Sequence, residues 1–261
     1  MSPDRNDQSV PPVVDQMVHD DGLADGYEDL YGNLRLWQYD SRLLDEWFDV
    51  PGRLLDLGCG HGRTLLQFAR KGFEVTGLDL SPRMLVLAEQ RLKAEGLSAA
   101  ALVEGNLADL PMDRFAPPYD YAVCMFATLG FVRGHANRVR ALRQACRLLK
   151  PGGQYVFHVQ NLLYNVHTLH LPFILTGLAK WAVGRGEIGD QIFWWYENLR
   201  WLYMHAFRPK ELRRLVAEAG LDLVDFARIN ARLDGPLQAT RLRDWRSHGY
   251  ILRCRRPMEL A

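Results

Sequence analysis

The chain has 261 residues, 48% of them hydrophobic, and a formal net charge of +1. That length admits one large α/β domain with an insertion or cap, and the apolar content can supply its core. Overall charge gives no argument for a nucleic-acid partner, although residues 1–50 carry twelve acids against Arg5, Arg35 and Arg42, and residues 200–256 carry thirteen Lys or Arg against six acids.

Residues 1–26 mix Pro11, Pro12 and acids without periodicity and read as a flexible tail. From Tyr27 to Phe48 an aromatic, helical pattern runs through Tyr31, Trp37, Leu43, Leu44 and Trp47, so 27–52 is expected to hold N-terminal cover helices that Pro51-Gly52 ends. A strand follows at 53–57, and a helix at about 62–71 stops near Gly72. Residues 73–79 form a second strand, and Ser81-Pro82 is a cap with proline at the first helical position. Further strands are expected near 100–104, at 119–126 and at 154–160, with a basic helix over 135–149. This βαβ alternation implies a parallel sheet with right-handed crossovers. Residues 161–207 are strongly aromatic, too long for a plain loop, and read as a substrate cap. Over 208–261 a helix opening at Pro209 and two strands, 222–229 and 248–255, complete the sheet.

The segment Leu54-Leu55-Asp56-Leu57-Gly58-Cys59-Gly60-His61-Gly62-Arg63 carries the chemistry. A buried strand enters a turn with glycine at alternate positions, and a helix follows. Glycines let the backbone take positive φ and bring a ligand against bare main chain. The free N–H groups of the next helix face an electron-rich partner. A dinucleotide fingerprint needs its third glycine at position 63, which is Arg63.

Asp56-x-Gly58-x-Gly60-x-Gly62 closely resembles the first motif of the class I S-adenosylmethionine-dependent methyltransferases, of the small-molecule type. Four further segments resemble that family in the right order: Phe73–Ser81, Glu104–Pro111, Tyr119–Phe126 and Leu148–Gly153. The resemblance covers roughly residues 50 to 160. It implies a Rossmann-like fold, a mostly parallel seven-stranded sheet with an antiparallel last strand and helices on both faces. Residues 53–160 would be the cofactor-binding α/β core, and the cofactor would be S-adenosyl-L-methionine. Gly58, Cys59 and Gly60 would approach its methionine part and Asp79 its ribose hydroxyls. Asp56 would hold the loop and the amino group, or the loop alone. Leu80, Leu107 and Met125 would line the adenine and sulfonium slot or belong to the core. Asn106 stands where the family usually has an acid, and its amide can still recognise adenine. Tyr31, Trp37 and Arg42 resemble that family's lid over the cofactor, with the arginine on its carboxylate; Tyr31 and Trp37 would otherwise pack as a cover helix.

Ala116-Pro117-Pro118-Tyr119 looks like the signature of amine N-methyltransferases, but it precedes the fourth strand instead of following it. Methyl transfer from a sulfonium needs a base only when the nucleophile must lose a proton. Candidates are His135, His158, Tyr164 and His205 with Glu197. His158 is preferred as the catalytic residue because the end of the fifth strand borders the acceptor pocket. The histidines are scattered, so no metal is expected.

The expected function is methyl transfer to a small, partly apolar metabolite, at O, N or C. One alternative is an RNA methyltransferase of tRNA type, using arginines 200, 213, 214, 228, 232, 241, 243 and 246 with Trp201, Tyr203 and Trp245. Another is a non-catalytic S-adenosylmethionine-binding regulator. A second copy of the chain is a further candidate partner. Cys59, Cys124, Cys146 and Cys254 lack metal or redox spacing and suit free thiols in a reducing cytoplasm. No signal peptide is visible. The stretch Leu169–Val183 contains His170, Pro172 and Lys180 and falls short of the roughly 20 residues of a spanning helix.

Overall fold

The protein is described from a computed structural model, over residues 9–26, 35–167, 175, 186–193, 202–238 and 241–258. Its centre is a seven-stranded sheet. In chain order the strands are β1 (Arg53–Leu57), β2 (Glu74–Asp79), β3 (Ala101–Glu104), β4 (Tyr119–Cys124), β5 (Leu149–Gln160), β8 (Asp222–Arg228) and β9 (Gly249–Arg255). Their order across the sheet is β3-β2-β1-β4-β5-β9-β8. β1 to β5 are parallel, and β9 runs antiparallel to both its neighbours. The expected seven strands and antiparallel last strand are therefore found. A separate hairpin pairs β6 (Asp190–Phe193) with β7 (Leu202–His205).

Buried strands on both faces explain the near-continuous apolar runs of the sequence. Alternate residues serve two cores. Leu55, Leu57, Ala122, Cys124, Tyr155 and Phe157 face one, with α6 (His135–Leu148) and α7 (Pro209–Glu218). Leu54, Val75, Tyr121, Val123, Val156 and Ile251 face the other. This second face is covered by α3 (Arg35–Trp47) and α4 (Arg63–Ala69), with Leu92 of α5 (Pro82–Lys93). The buried residues of α3 are Leu36, Tyr39, Asp40 and Leu44. That spacing is a helical stripe, with an acid inside it.

Within the segment expected as a tail, residues 9–26 form two short helices, α1 (Pro12–Val18) and α2 (Asp21–Asp25). Val14 and Val18 pack with Tyr203 of β7. The hairpin is joined to the main body by a charged cluster. The Arg138 guanidinium, fully buried, pairs with Glu187. His205 Nδ1 meets Asp190 Oδ1 at 2.8 Å, and its Nε2 meets Glu211 Oε1 at 2.7 Å. The Tyr203 hydroxyl donates to Asp190 at 2.7 Å. Most of the 161–207 cap, including Glu197, lies outside the described residues, as does Tyr31.

Candidate active site

The sheet reverses its winding between β1 and β4, and a cleft opens beyond the carboxyl ends of the strands there, where open α/β sheets bind ligands. Gly58, with φ of 86°, makes the turn out of β1. A Cβ there would stand 2.3 Å from Thr128 Cγ2, so only glycine fits. The N–H groups of Gly58 and Cys59 both donate to the Leu78 carbonyl, at 2.7 and 2.9 Å, fastening the loop to β2. Gly60, with φ of 50°, faces open space. Its N–H donates to Asp79 Oδ2 at 2.7 Å, and the Ser81 N–H donates to Oδ1 at 2.9 Å. With the Leu80 N–H as a third donor, the carboxylate keeps a lone pair for a hydroxyl.

Gly58, Gly60, Asp79, Leu80, Asn106 and Leu107 line one cavity. The sequence did not reveal its roof, formed by Ser9, Val10, Val14, Val18 and Ala24. Nor did it single out Thr128, Phe131 and Val132, which lie beyond β4 and complete the wall. The Val14–Val18 spacing was the available signal, but a seven-residue helix after two prolines shows too little periodicity. Asn106 Nδ2 donates to Ser9 Oγ at 2.8 Å, and its Oδ1 accepts the Ala108 N–H at 2.9 Å. The amide thus ties the roof to the loop after β3.

Four expected residues do not line this cavity. Asp56 is buried inside β1 and shares a hydrogen bond with Thr64 in the first turn of α4. Burial, reinforced by the charge of Asp79 and offset by Thr64, pushes its pKa up to about 8. Burial also raises Asp79, against the N–H groups of Ser81, Gly60 and Leu80. Cys59 is buried in the turn, with its thiol donating to the Gly60 carbonyl at 3.6 Å. Met125 is buried in the core under α3, with Val123 and Val156. Arg42 stands on the exposed face of α3, where its guanidinium donates to the Asp234 carbonyl at 3.0 Å. Two helical positions separate it from the buried Asp40, a turn of about 200°.

Beside the glycine loop, Trp37 of α3 lies against Phe126, ring centroids 4.7 Å apart. Arg63 stands 3.7 Å over the Trp37 ring, and the His61 ring is 6.3 Å away. Phe126 and Ala127 both take positive φ, 55° and 63°. Two consecutive non-glycine residues in that region store strain, which is common beside ligand sites. His158, on the α3 face of β5, is buried, and its Nδ1 lies 3.2 Å from Asp40 Oδ2. His135 pairs instead with Glu218 at 2.7 Å, and His205 belongs to the hairpin cluster. Glu187, Asp190 and His205 have the atoms to hold a cation, but the Arg138 guanidinium and Glu211 already occupy them.

The glycine turn at the end of β1, the acid at the end of β2 and the roofed cleft meet at the switch point of a Rossmann-like sheet. A family described as a methyltransferase domain matches residues 54–153. The chain is 35% identical over 190 residues to a demethylmenaquinone methyltransferase of Bacillus subtilis, covering 67% of this chain and 72% of that one. It is 30% identical over 184 residues to a ubiquinone biosynthesis O-methyltransferase of Burkholderia pseudomallei, covering 69% and 70%. It spans only about half the length of other curated relatives that it matches, 51 to 55%. The fold is similar to that of a solved S-adenosylmethionine-dependent methyltransferase from Methanosarcina mazei, with a TM-score of 0.67, 22% identity, and coverage of 83% of this chain and 98% of that one. This chain belongs to the class I S-adenosylmethionine-dependent methyltransferases. Among the described residues, no helix is long and apolar enough to cross a membrane.

Proposed function

We propose that the protein transfers the methyl group of S-adenosylmethionine to a small, partly apolar metabolite. The observation that carries this reading is the Trp37–Phe126 pair, held against the glycine loop between α3 and the end of β4. Such a wall accepts a compact apolar body and keeps water from the reacting atoms. The names of the Bacillus and Burkholderia relatives point to quinone-type acceptors, which supports a small acceptor here as well. By contrast, two of the arginines an RNA reading would use are engaged locally, Arg214 with Glu218 and Arg228 with Asp244, both at 2.6 Å.

In this reading the bare backbone of Gly58 and Gly60 admits the methionine part, and Asp79 accepts the ribose hydroxyls. Leu80, Leu107 and Asn106 flank the adenine under Val14 and Val18. The cofactor supplies an electrophilic methyl group on a sulfonium. The chain supplies position and dehydration, which account for much of the acceleration of an in-line displacement.

Titration calorimetry with S-adenosylmethionine, S-adenosylhomocysteine and NAD tests the cofactor reading. We expect binding of the first two at about micromolar Kd, about 8 kcal/mol, and none of NAD. NAD binding without the other two overturns it. An acceptor screen, metabolites first and RNA second, then tests the substrate class.

A further inference from the structure

The wall of the cofactor cavity beyond β4 belongs to no strand. Thr128, Phe131 and Val132 line the cleft from a short 3-10 turn, Thr128–Phe131, that leads towards α6. Contacts with the hairpin and with α6 set its place. A Cβ on Gly130 would stand 2.8 Å from the His205 carbonyl oxygen and 3.1 Å from Met204 Cγ, so β7 lies directly against the wall. Arg138 Nη1 donates to the Val132 carbonyl at 2.9 Å. Its Nη2 donates to Glu187, in the turn that enters β6. The other Glu187 oxygen accepts the His135 N–H at 2.6 Å. Gly134, ahead of α6, offers no side-chain cap, so a carboxylate 52 residues further along the chain caps that helix. Glu187 is fixed in turn by its own N–H, which donates to Asp190 Oδ2 at 2.8 Å. At the other end of the wall, the Arg133 N–H donates to the carbonyl of Ser9 in the roof at 2.8 Å. Hairpin, wall and roof are thus bonded in series.

Arg138 is fully buried, and its Nε has no hydrogen-bond partner among the described residues. A buried charge with an open donor is unfavourable, and an apolar side chain of similar volume often packs as well or better. What an apolar side chain lacks is a planar fork that reaches two elements at once. The fork here joins the carbonyl of a cavity residue to the carboxylate at the root of the hairpin. We propose that Arg138 and Glu187 are positioning residues that couple the two halves of the site. When S-adenosylmethionine fills the cleft and fixes the wall, the pair fixes the hairpin, which lies in the segment read as the substrate cap. This rests on the methyltransferase reading above. The acceptor side of the protein is then ordered by the cofactor, and by linkage a fixed hairpin holds the cofactor more tightly.

The test uses the full chain. S-adenosylhomocysteine binding is measured first by calorimetry, and backbone hydrogen exchange is then followed by mass spectrometry with and without it. In the wild type we expect saturating S-adenosylhomocysteine to slow exchange about tenfold or more over both residues 128–133 and residues 202–207. Arg138→Lys keeps the charge without the fork, and Glu187→Gln keeps one acceptor without the charge. Each is expected to retain the slowing at 128–133 and to reduce that at 202–207 below about twofold. Affinity should fall by no more than the protection lost, about tenfold. Arg138→Met combined with Glu187→Gln removes both charges together, so neither is left unpaired if a single change impairs folding. The double variant is expected to behave like the single ones. Wild-type protein that binds S-adenosylhomocysteine without slowing at 202–207 overturns the proposal. Slowing there that survives in the variants assigns the coupling to the Tyr203 contact with Val14 and Val18, and overturns it as well. So does loss of slowing at both segments, which makes the pair structural only. Failure of S-adenosylhomocysteine to bind the wild type overturns the methyltransferase reading instead.

Discussion

At the scale of single residues, Asp79 and Asp56 stand close together and do different work. Asp79 takes three backbone N–H donors and offers its remaining lone pair to the cleft. Replacing it with Ala removes both acceptors, and we expect S-adenosylmethionine affinity to fall at least tenfold, about 1.4 kcal/mol, by calorimetry. Asp56, with its pKa near 8, holds a proton at neutral pH in the free protein. A cationic cofactor nearby lowers a carboxyl pKa, so binding below that value should release a proton. Cofactor affinity should then rise with pH up to about 8 and level off above it. Calorimetry in two buffers of different ionisation enthalpy counts the proton directly. Heats independent of buffer would leave Asp56 as only the staple of the turn.

At the scale of elements, the glycine turn does more than admit a ligand. Gly62, with φ of 81°, caps α4, and a Cβ on it would come 2.8 Å from the Cβ of Ala88 on α5. Gly62→Ala thus combines an unfavourable backbone conformation with a helix–helix clash. We expect a loss of about 1–3 kcal/mol in urea unfolding. Adding Ala88→Gly should recover the clash and leave the conformational part. The β1 turn and the acid ending β2 were legible in the sequence because each is set locally, by glycines that need positive φ or by the end of a buried run. The roof was not, since α1 is one short turn pair whose valines become a surface only when the cleft lies beneath them. The Asp40–His158 pair was half legible. His158 stood out at a strand end, but its partner is 118 residues away on α3. Arg42, two residues from Asp40, looked the more functional of the two until the helix turned it outward.

Across the whole molecule, the charged cluster around His205 connects the hairpin to the main body. Burial alone would lower the His205 pKa, but hydrogen bonds to Asp190 and Glu211 raise it on balance. Burial would raise Asp190 and Glu211, yet His205 and their other partners hold Asp190 down to about 2 and keep Glu211 low. The histidine contribution is complete below its unfolded value of 6.5 and is lost as pH rises through the raised folded value. The acids contribute above their unfolded values of 3.8 and 4.5, and this is lost as pH falls through the depressed ones. The cluster is therefore complete between about pH 4.5 and 6.5. The Tm difference between wild type and His205→Gln should be largest there and shrink as pH rises; a difference constant across pH would remove charge from the explanation. That cluster holds β7, β7 holds α1 through Tyr203 and Val14, and α1 roofs the cleft. A cofactor bound in that cleft would enter and leave past the seven-residue helix α1. Turnover would then depend on how often α1 leaves the cleft as well as on methyl transfer itself.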